Sequence, residues 1–164
     1  MYQHDISDYN IALQQLQLFC EDAKYNISLI SNAVALLKQF YLDKSWIGFY
    51  FVMDNQLHLG PFNGLSACIS IDKGKGVCGQ CYQLEKTIVV NDLSLEKNHI
   101  ACDSLSKSEI VVPLIIDGQM IGLIDIDAPY INAFNEEDVK FLEQFSSLLT
   151  KHMVTKQNNI YDIL

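Results

Sequence analysis

The chain is short of basic residues, with eleven against twenty acidic ones in 164 residues and a formal net charge of −9. That balance repels phosphate backbones and anionic lipid headgroups, which sets nucleic-acid and membrane-surface roles aside. Long apolar runs are lacking too: Ile110–Ile116 stops well short of the ~20 residues a spanning helix needs. The opening residues Met1-Tyr-Gln-His-Asp-Ile6 have no basic start and no apolar stretch, so no export signal is expected and the expected compartment is the cytoplasm. Proline is scarce, and no proline-rich linker, internal repeat or low-complexity run divides the chain. What is plentiful is apolar: 49% of residues are hydrophobic and 19% charged, which suits one globular domain. A chain of this length hides roughly 70% of its unfolded surface on folding.

Five cysteines, Cys20, Cys68, Cys78, Cys81 and Cys102, are an odd set for a disulfide scaffold, and without an export signal most are expected to be reduced. Cys20 reads as a small buried hydrophobe. The other four crowd between residues 68 and 102 beside glycine, histidine and aspartate, which asks for chemistry.

Hydrophobic periodicity predicts helix from Ile6 to about Lys38, with Ile11, Leu13, Leu16 and Leu18 on a first stripe. Ile27, Leu29, Ile30, Val34 and Leu37 form a second, after a break near Asp22–Lys24, with Asn26 or Ser28 as its cap. The period then switches. Trp46–Met53, the turn Asp54-Asn55 and Leu57-His-Leu59 read as a hairpin. A strand over Ala67–Ile71, a glycine-rich turn, a short helix carrying Cys81 and Tyr82, and a strand over Thr87–Val90 follow, then a polar loop from Asn91 to Lys107. Glu109–Ile116, the turn Asp117-Gly118 and Met120–Asp127 make the clearest hairpin. Asn135-Glu-Glu-Asp138 opens a last helix with Val139, Leu142, Phe145, Leu148 and Leu149 on its apolar side. The expected fold is a single α+β domain over residues 1–164, an antiparallel sheet with N- and C-terminal helices packed on it. Its core lies at about 40–150, behind a helical segment 1–40 and ahead of a frayed tail at about 155–164.

Gly74-Lys-Gly-Val-Cys-Gly79 spells the dinucleotide fingerprint, but it lies mid-chain among hairpins rather than at the first turn of a parallel unit. A tight turn that needs positive φ is the better reading. Cys78-Gly-Gln-Cys81 lacks the strand–helix context of a thioredoxin-like motif and a second ligand pair for zinc. Cys102 sits in a polar loop with His99 and Asp103 near it, where loop amides could favour a thiolate; His99 reads equally well as a surface residue. Asp125 and Asp127 either share one face of a strand or lie beyond a strand that ends at Ile124, as solvated loop acids.

Trp46-Ile-Gly-Phe-Tyr50, Leu59-Gly-Pro-Phe62, Ala67-Cys68, Gly76-Val-Cys-Gly79, His99-Ile-Ala-Cys-Asp103, Ser108-Glu-Ile-Val-Val-Pro113 and Leu123-Ile-Asp-Ile-Asp127 together resemble the free methionine-(R)-sulfoxide reductases. These are single-domain enzymes with the GAF fold, and the resemblance runs over roughly residues 40–150. Cys68, Cys78 and Cys102 match the family's three cysteines. The resemblance implies a six-stranded antiparallel sheet and a homodimer. It implies Cys102 as nucleophile, Cys68 as resolving cysteine and Cys78 as a thiol able to exchange into the disulfide, with Cys78 the second candidate nucleophile. Glu109, Asp125 and Asp127 match its substrate carboxylates, and Trp46 and Tyr50 its aromatic pocket wall. Cys81 falls outside that pattern but lies close enough to Cys78 to make an off-pathway disulfide.

The implied reaction passes through a cysteine sulfenic acid and an intramolecular disulfide, with thioredoxin as external reductant, no metal and no organic cofactor. A role against oxidative stress goes with it. Two other readings are a non-catalytic GAF-type sensor of a small molecule and a zinc-binding structural domain built on the clustered cysteines.

Overall fold

The computed structural model describes residues 6–96 and 105–156. Two helices come first. In α1 (Ile6–Asp22) the buried positions are Tyr9, Ala12, Leu16 and Cys20, three and four residues apart, as one helical face requires. Ile11 and Leu18, expected on that stripe, instead face outward at 52% and 62% exposure, because a tyrosine, an alanine and a cysteine share the inner face with Leu16. Helix α2 (Asn26–Phe40) starts after Tyr25, which makes no side-chain cap bond. Neither Asn26 nor Ser28 is the cap: Asn26 is the first helical residue and is buried, so the chain break rather than a polar cap sets this end.

Six strands follow: β1 (Trp46–Met53), β2 (Gln56–Asn63), β3 (Ser70–Asp72), β4 (Ile88–Val90), β5 (Ser108–Ile116) and β6 (Gln119–Ala128). They form one sheet in the order β3-β2-β1-β6-β5-β4, with every neighbouring pair antiparallel. The β1–β2 turn places Asp54 and Asn55 at φ of 50° and 63°, and the β5–β6 turn places Asp117 and Gly118 at 50° and 77°. Paired positive φ values twist a two-residue turn in the sense the strands require. Strand β2 runs on to Asn63, beyond the expected Leu59, whereas β3 begins only at Ser70. In the segment between them, the carbonyls of Leu65 and Cys68 accept hydrogen bonds from side chains of β1.

The sheet separates two cores. One lies under α1, α2 and the last helix α4 (Glu136–Lys156). There Leu16, Ile30, Leu37, Phe141, Leu142, Phe145 and Leu149 meet Ile47, Phe49, Ile110, Val112 and Ile124 of the sheet. Asn135 caps α4: its Oδ1 accepts from the backbone N–H of Glu137 and Asp138, while Asp138 Oδ2 accepts from the N–H of Asn135. Asp138 Oδ1 also accepts from the hydroxyls of Tyr9 and Tyr41, so this cap ties α1 and the end of α2 to α4. Helix α4 runs to Lys156, and the expected frayed tail falls almost wholly outside the described residues.

The second core lies on the opposite face of the sheet. There Trp46, Tyr50, Leu57, Val111 and Leu123 meet Val77, Cys78, Cys81 and Tyr82 of α3 (Gly76–Leu84). The glycine-rich segment is the turn into α3, with Gly74 and Gly76 at φ of 82° and 61°, as the tight-turn reading expects. Among the described residues no helix is long and apolar enough to cross a membrane.

Candidate active site

The site is built on the sheet face that α3 covers. Register brings the acids together: Asp127 of β6 pairs with Glu109 of β5 on one side and Trp46 of β1 on the other. One rung along, Asp125 lies between Val111 and Gly48. Residues two apart on a strand share a face, so Glu109, Asp125, Asp127, Trp46 and Tyr50 all point into the same side. Strand β6 continues to Ala128, which removes the alternative of a strand ending at Ile124 with two solvated acids. All three carboxylates are at least nine-tenths buried.

Helix α3 lowers Cys78 onto this cluster. Cys78 Sγ lies 3.8 Å from Glu109 Oε1, and the thiol, a Glu109 oxygen and an Asp125 oxygen all lie within 4.8 Å of one another. Asp125 Oδ1 is buried with no hydrogen-bond partner among the described residues. Burial pushes the Asp125 carboxyl up to about 7. Burial, then the charges of Asp125 and Asp127, push Glu109 well above the ordinary carboxylate range. The same causes keep Cys78 a neutral thiol, since burial and the charges of Asp125, Glu109 and Asp127 all oppose its thiolate. Cys81, fully buried one turn further on, is pushed up to about 12 by burial and then by Asp125 and Glu109.

The aromatic side of the pocket comes from β1. Trp46 stacks between Phe62, with centroids 5.4 Å apart, and Tyr50 at 6.1 Å. Its Nε1–H donates to the Leu65 carbonyl at 3.0 Å, and the Tyr50 hydroxyl donates to the Cys68 carbonyl at 2.9 Å. These two bonds pin the segment that carries Cys68 across the pocket, which is why β3 starts later than alternation suggests. Gly48 makes room for this arrangement: a Cβ there would lie 2.4 Å from the Trp46 ring and 2.5 Å from Phe62 Cβ. Sequence reasoning missed Gly48, Phe62 and Leu65 as parts of the site. A glycine inside an otherwise aromatic strand was the available signal for the first of them.

Cys68 is held in a disulfide, whereas Cys20, Cys78 and Cys81 are reduced thiols. Cys20 is fully buried in the helical core, as expected of a packing residue. The structure therefore brings together Cys68, Cys78, Trp46, Tyr50, Glu109, Asp125 and Asp127 on one face. Cys102, with His99 and Asp103, lies outside the described residues.

A six-stranded antiparallel sheet of this order, with helices packed on one face and α3 over a buried cluster of acids, aromatics and a thiol on the other, defines an α+β domain. The GAF-domain family profile matches residues 28–153, and the chain belongs to that family, in the branch that includes free methionine-R-sulfoxide reductases. It is 42% identical over 156 residues to the free methionine-R-sulfoxide reductase of Saccharomyces cerevisiae, covering 88% of this chain and 87% of that one. It is 40% identical over 129 residues to the Escherichia coli protein of the same name, covering 79% of this chain and 78% of that one. The crystal structure of the Neisseria meningitidis free methionine-R-sulfoxide reductase with its substrate superposes with a TM-score of 0.88 at 36% identity, over 95% of both chains.

Proposed function

We propose that this chain reduces free L-methionine-(R)-sulfoxide to methionine. The observation that carries the reading is the buried cluster of Glu109, Asp125 and Asp127 beside Trp46 and Tyr50, with an oxygen of Asp125 left unpartnered among the described residues. Buried carboxylates of like charge are costly unless a cation compensates them. The ammonium of a free amino acid is such a cation, and the aromatic rings offer its S-methyl group an apolar wall. Relatives named as reductases of free methionine-R-sulfoxide support the same assignment.

The chemistry then runs through cysteine. The Cys102 thiolate attacks the sulfoxide sulfur; the sulfoxide oxygen takes up a proton and moves to sulfur of the enzyme as a sulfenic acid, and methionine leaves with the electron pair. The Cys68 thiol displaces hydroxide from that sulfenic acid, giving a disulfide and water. An external dithiol of the thioredoxin type reduces the disulfide and is itself oxidised. Two features support this division of roles. Cys68 is disulfide-bonded while Cys20, Cys78 and Cys81 are reduced. Cys78 faces carboxylates that hold its proton in place, which suits a reserve thiol better than a nucleophile.

We further take the protein to work as a cytoplasmic homodimer, on the strength of the family resemblance. Sedimentation of the purified chain tests the assembly. The test of function is a thioredoxin-coupled assay with free methionine sulfoxide resolved into its epimers. Turnover of the (R) epimer supports the enzyme. Binding without turnover would instead favour the sensor reading.

A further inference from the structure

The cluster that faces the pocket is also a set of metal donors. Cys78 Sγ, a Glu109 oxygen and an Asp125 oxygen lie within 4.8 Å of one another, all three residues are buried, and Asp125 Oδ1 has no hydrogen-bond partner among the described residues. We propose that Cys78, Glu109 and Asp125 form a site for one thiophilic divalent cation of the zinc class, which excludes the substrate's ammonium and so inhibits the enzyme. This rests on the assignment of the same carboxylates to substrate binding.

Geometry favours zinc over the hard cations. A tetrahedral zinc with sulfur at ~2.3 Å and oxygen at ~2.0–2.2 Å holds neighbouring donors roughly 3.5 Å apart. The Cys78 Sγ–Glu109 Oε1 separation of 3.8 Å is already close to that edge, so a small inward movement closes the set. Calcium wants six to eight oxygens, and magnesium a near-ideal oxygen octahedron, neither of which suits a set that includes a thiol. The Cys78 thiol proton is released as the metal–sulfur bond forms. A cation in this position differs from a structural zinc held by several cysteines: it sits where the ammonium would, and its removal leaves the fold in place.

The test uses the full chain in its disulfide form, stripped with a chelator and titrated calorimetrically with Zn2+, then with Co2+ to read a thiolate-to-metal absorption band. The expected result is one ion per chain and a cobalt–thiolate band. Cys78→Ser should abolish the band and weaken zinc at least a hundredfold, with Asp125→Asn weakening it by a similar order. Thermal melts check that both variants remain folded, and Glu109→Gln gives an independent third variant. Excess free L-methionine should raise the apparent dissociation constant for zinc. Absence of binding, or equal affinity in wild type and all three variants, overturns the site. Binding that methionine does not shift overturns its competition with substrate. Activity of the metal-free enzyme is measured separately, so failure of the reductase assignment is read from that assay and not from the titration.

Discussion

Asp125 concentrates the character of the pocket in one residue. Its carboxyl is buried, lies beside Glu109 and Cys78, and titrates near 7 in the fold, against about 3.9 for an aspartate in an unfolded chain. A folded value above the unfolded one means the fold favours the protonated acid. The stability it contributes is therefore fully present below about pH 4 and is lost as the pH rises through about 7. Substrate-free Asp125→Asn should hold its melting temperature across pH 5 to about 8 better than wild type does, because the amide never ionises. Differential scanning at several pH values checks this, and a parallel decline in both proteins would count against a strained carboxylate. Glu109 strengthens the trend, since its own acidity is weakened by burial and by the aspartates. The same surroundings decide between the two cysteines. Cys78 remains a thiol among carboxylates, so Cys102→Ser should lose single-turnover production of methionine with a small dithiol, whereas Cys78→Ser should retain it. Quantifying methionine per subunit distinguishes them; the reverse result would move the nucleophile to Cys78.

At the scale of elements, the strands bring the acids together and the helix ends hold the frame. Asn135 accepts two backbone N–H bonds at the start of α4, so Asn135→Ala should destabilise the chain by about 1 kcal/mol. Its kcat/KM should stay unchanged, because the cap lies on the helical side of the sheet. Urea unfolding and a steady-state assay check the two halves of that expectation. The hairpins were legible in advance: Asp54-Asn55 and Asp117-Gly118, between runs rich in apolar residues, are residue types that tolerate the positive φ a two-residue turn needs. The last helix was legible from its capping residues and apolar spacing. The first helix was less so, because Tyr9, Ala12 and Cys20 do not register as a hydrophobic stripe, while the outward-facing Ile11 and Leu18 do. The late start of β3 could not be read locally at all. It follows from bonds made by Trp46 and Tyr50 to carbonyls 19 and 18 residues away.

In the whole molecule the sheet carries a helical apolar core on one face and, on the other, a second core under α3 beside which the three acids are buried. The shared face of Asp125 and Asp127 was one of two readings open in the sequence, decided only by β6 running on to Ala128, and the pairing of Glu109 with Asp127 across β5 and β6 comes from the register. Their burial was not, since it depends on α3 closing over that face. On the proposed reading, a buried cluster of acids within a chain of net charge −9 makes the substrate's ammonium the group on which recognition turns. N-acetyl-methionine sulfoxide keeps the reacting group but has no ammonium, so at a pH where the cluster is ionised its binding would leave a buried carboxylate uncompensated, at a cost of roughly 3–5 kcal/mol. That corresponds to a loss of at least about a hundredfold in kcat/KM relative to free (R)-sulfoxide. Methionine sulfoxide within a peptide should fail in the same way, and the (S) epimer should be turned over far more slowly than the (R). The check is a comparison of free, N-acetylated and peptide-bound substrates with each epimer resolved. Comparable rates on the free and N-acetylated (R)-sulfoxides would show that Glu109, Asp125 and Asp127 do something other than hold an ammonium.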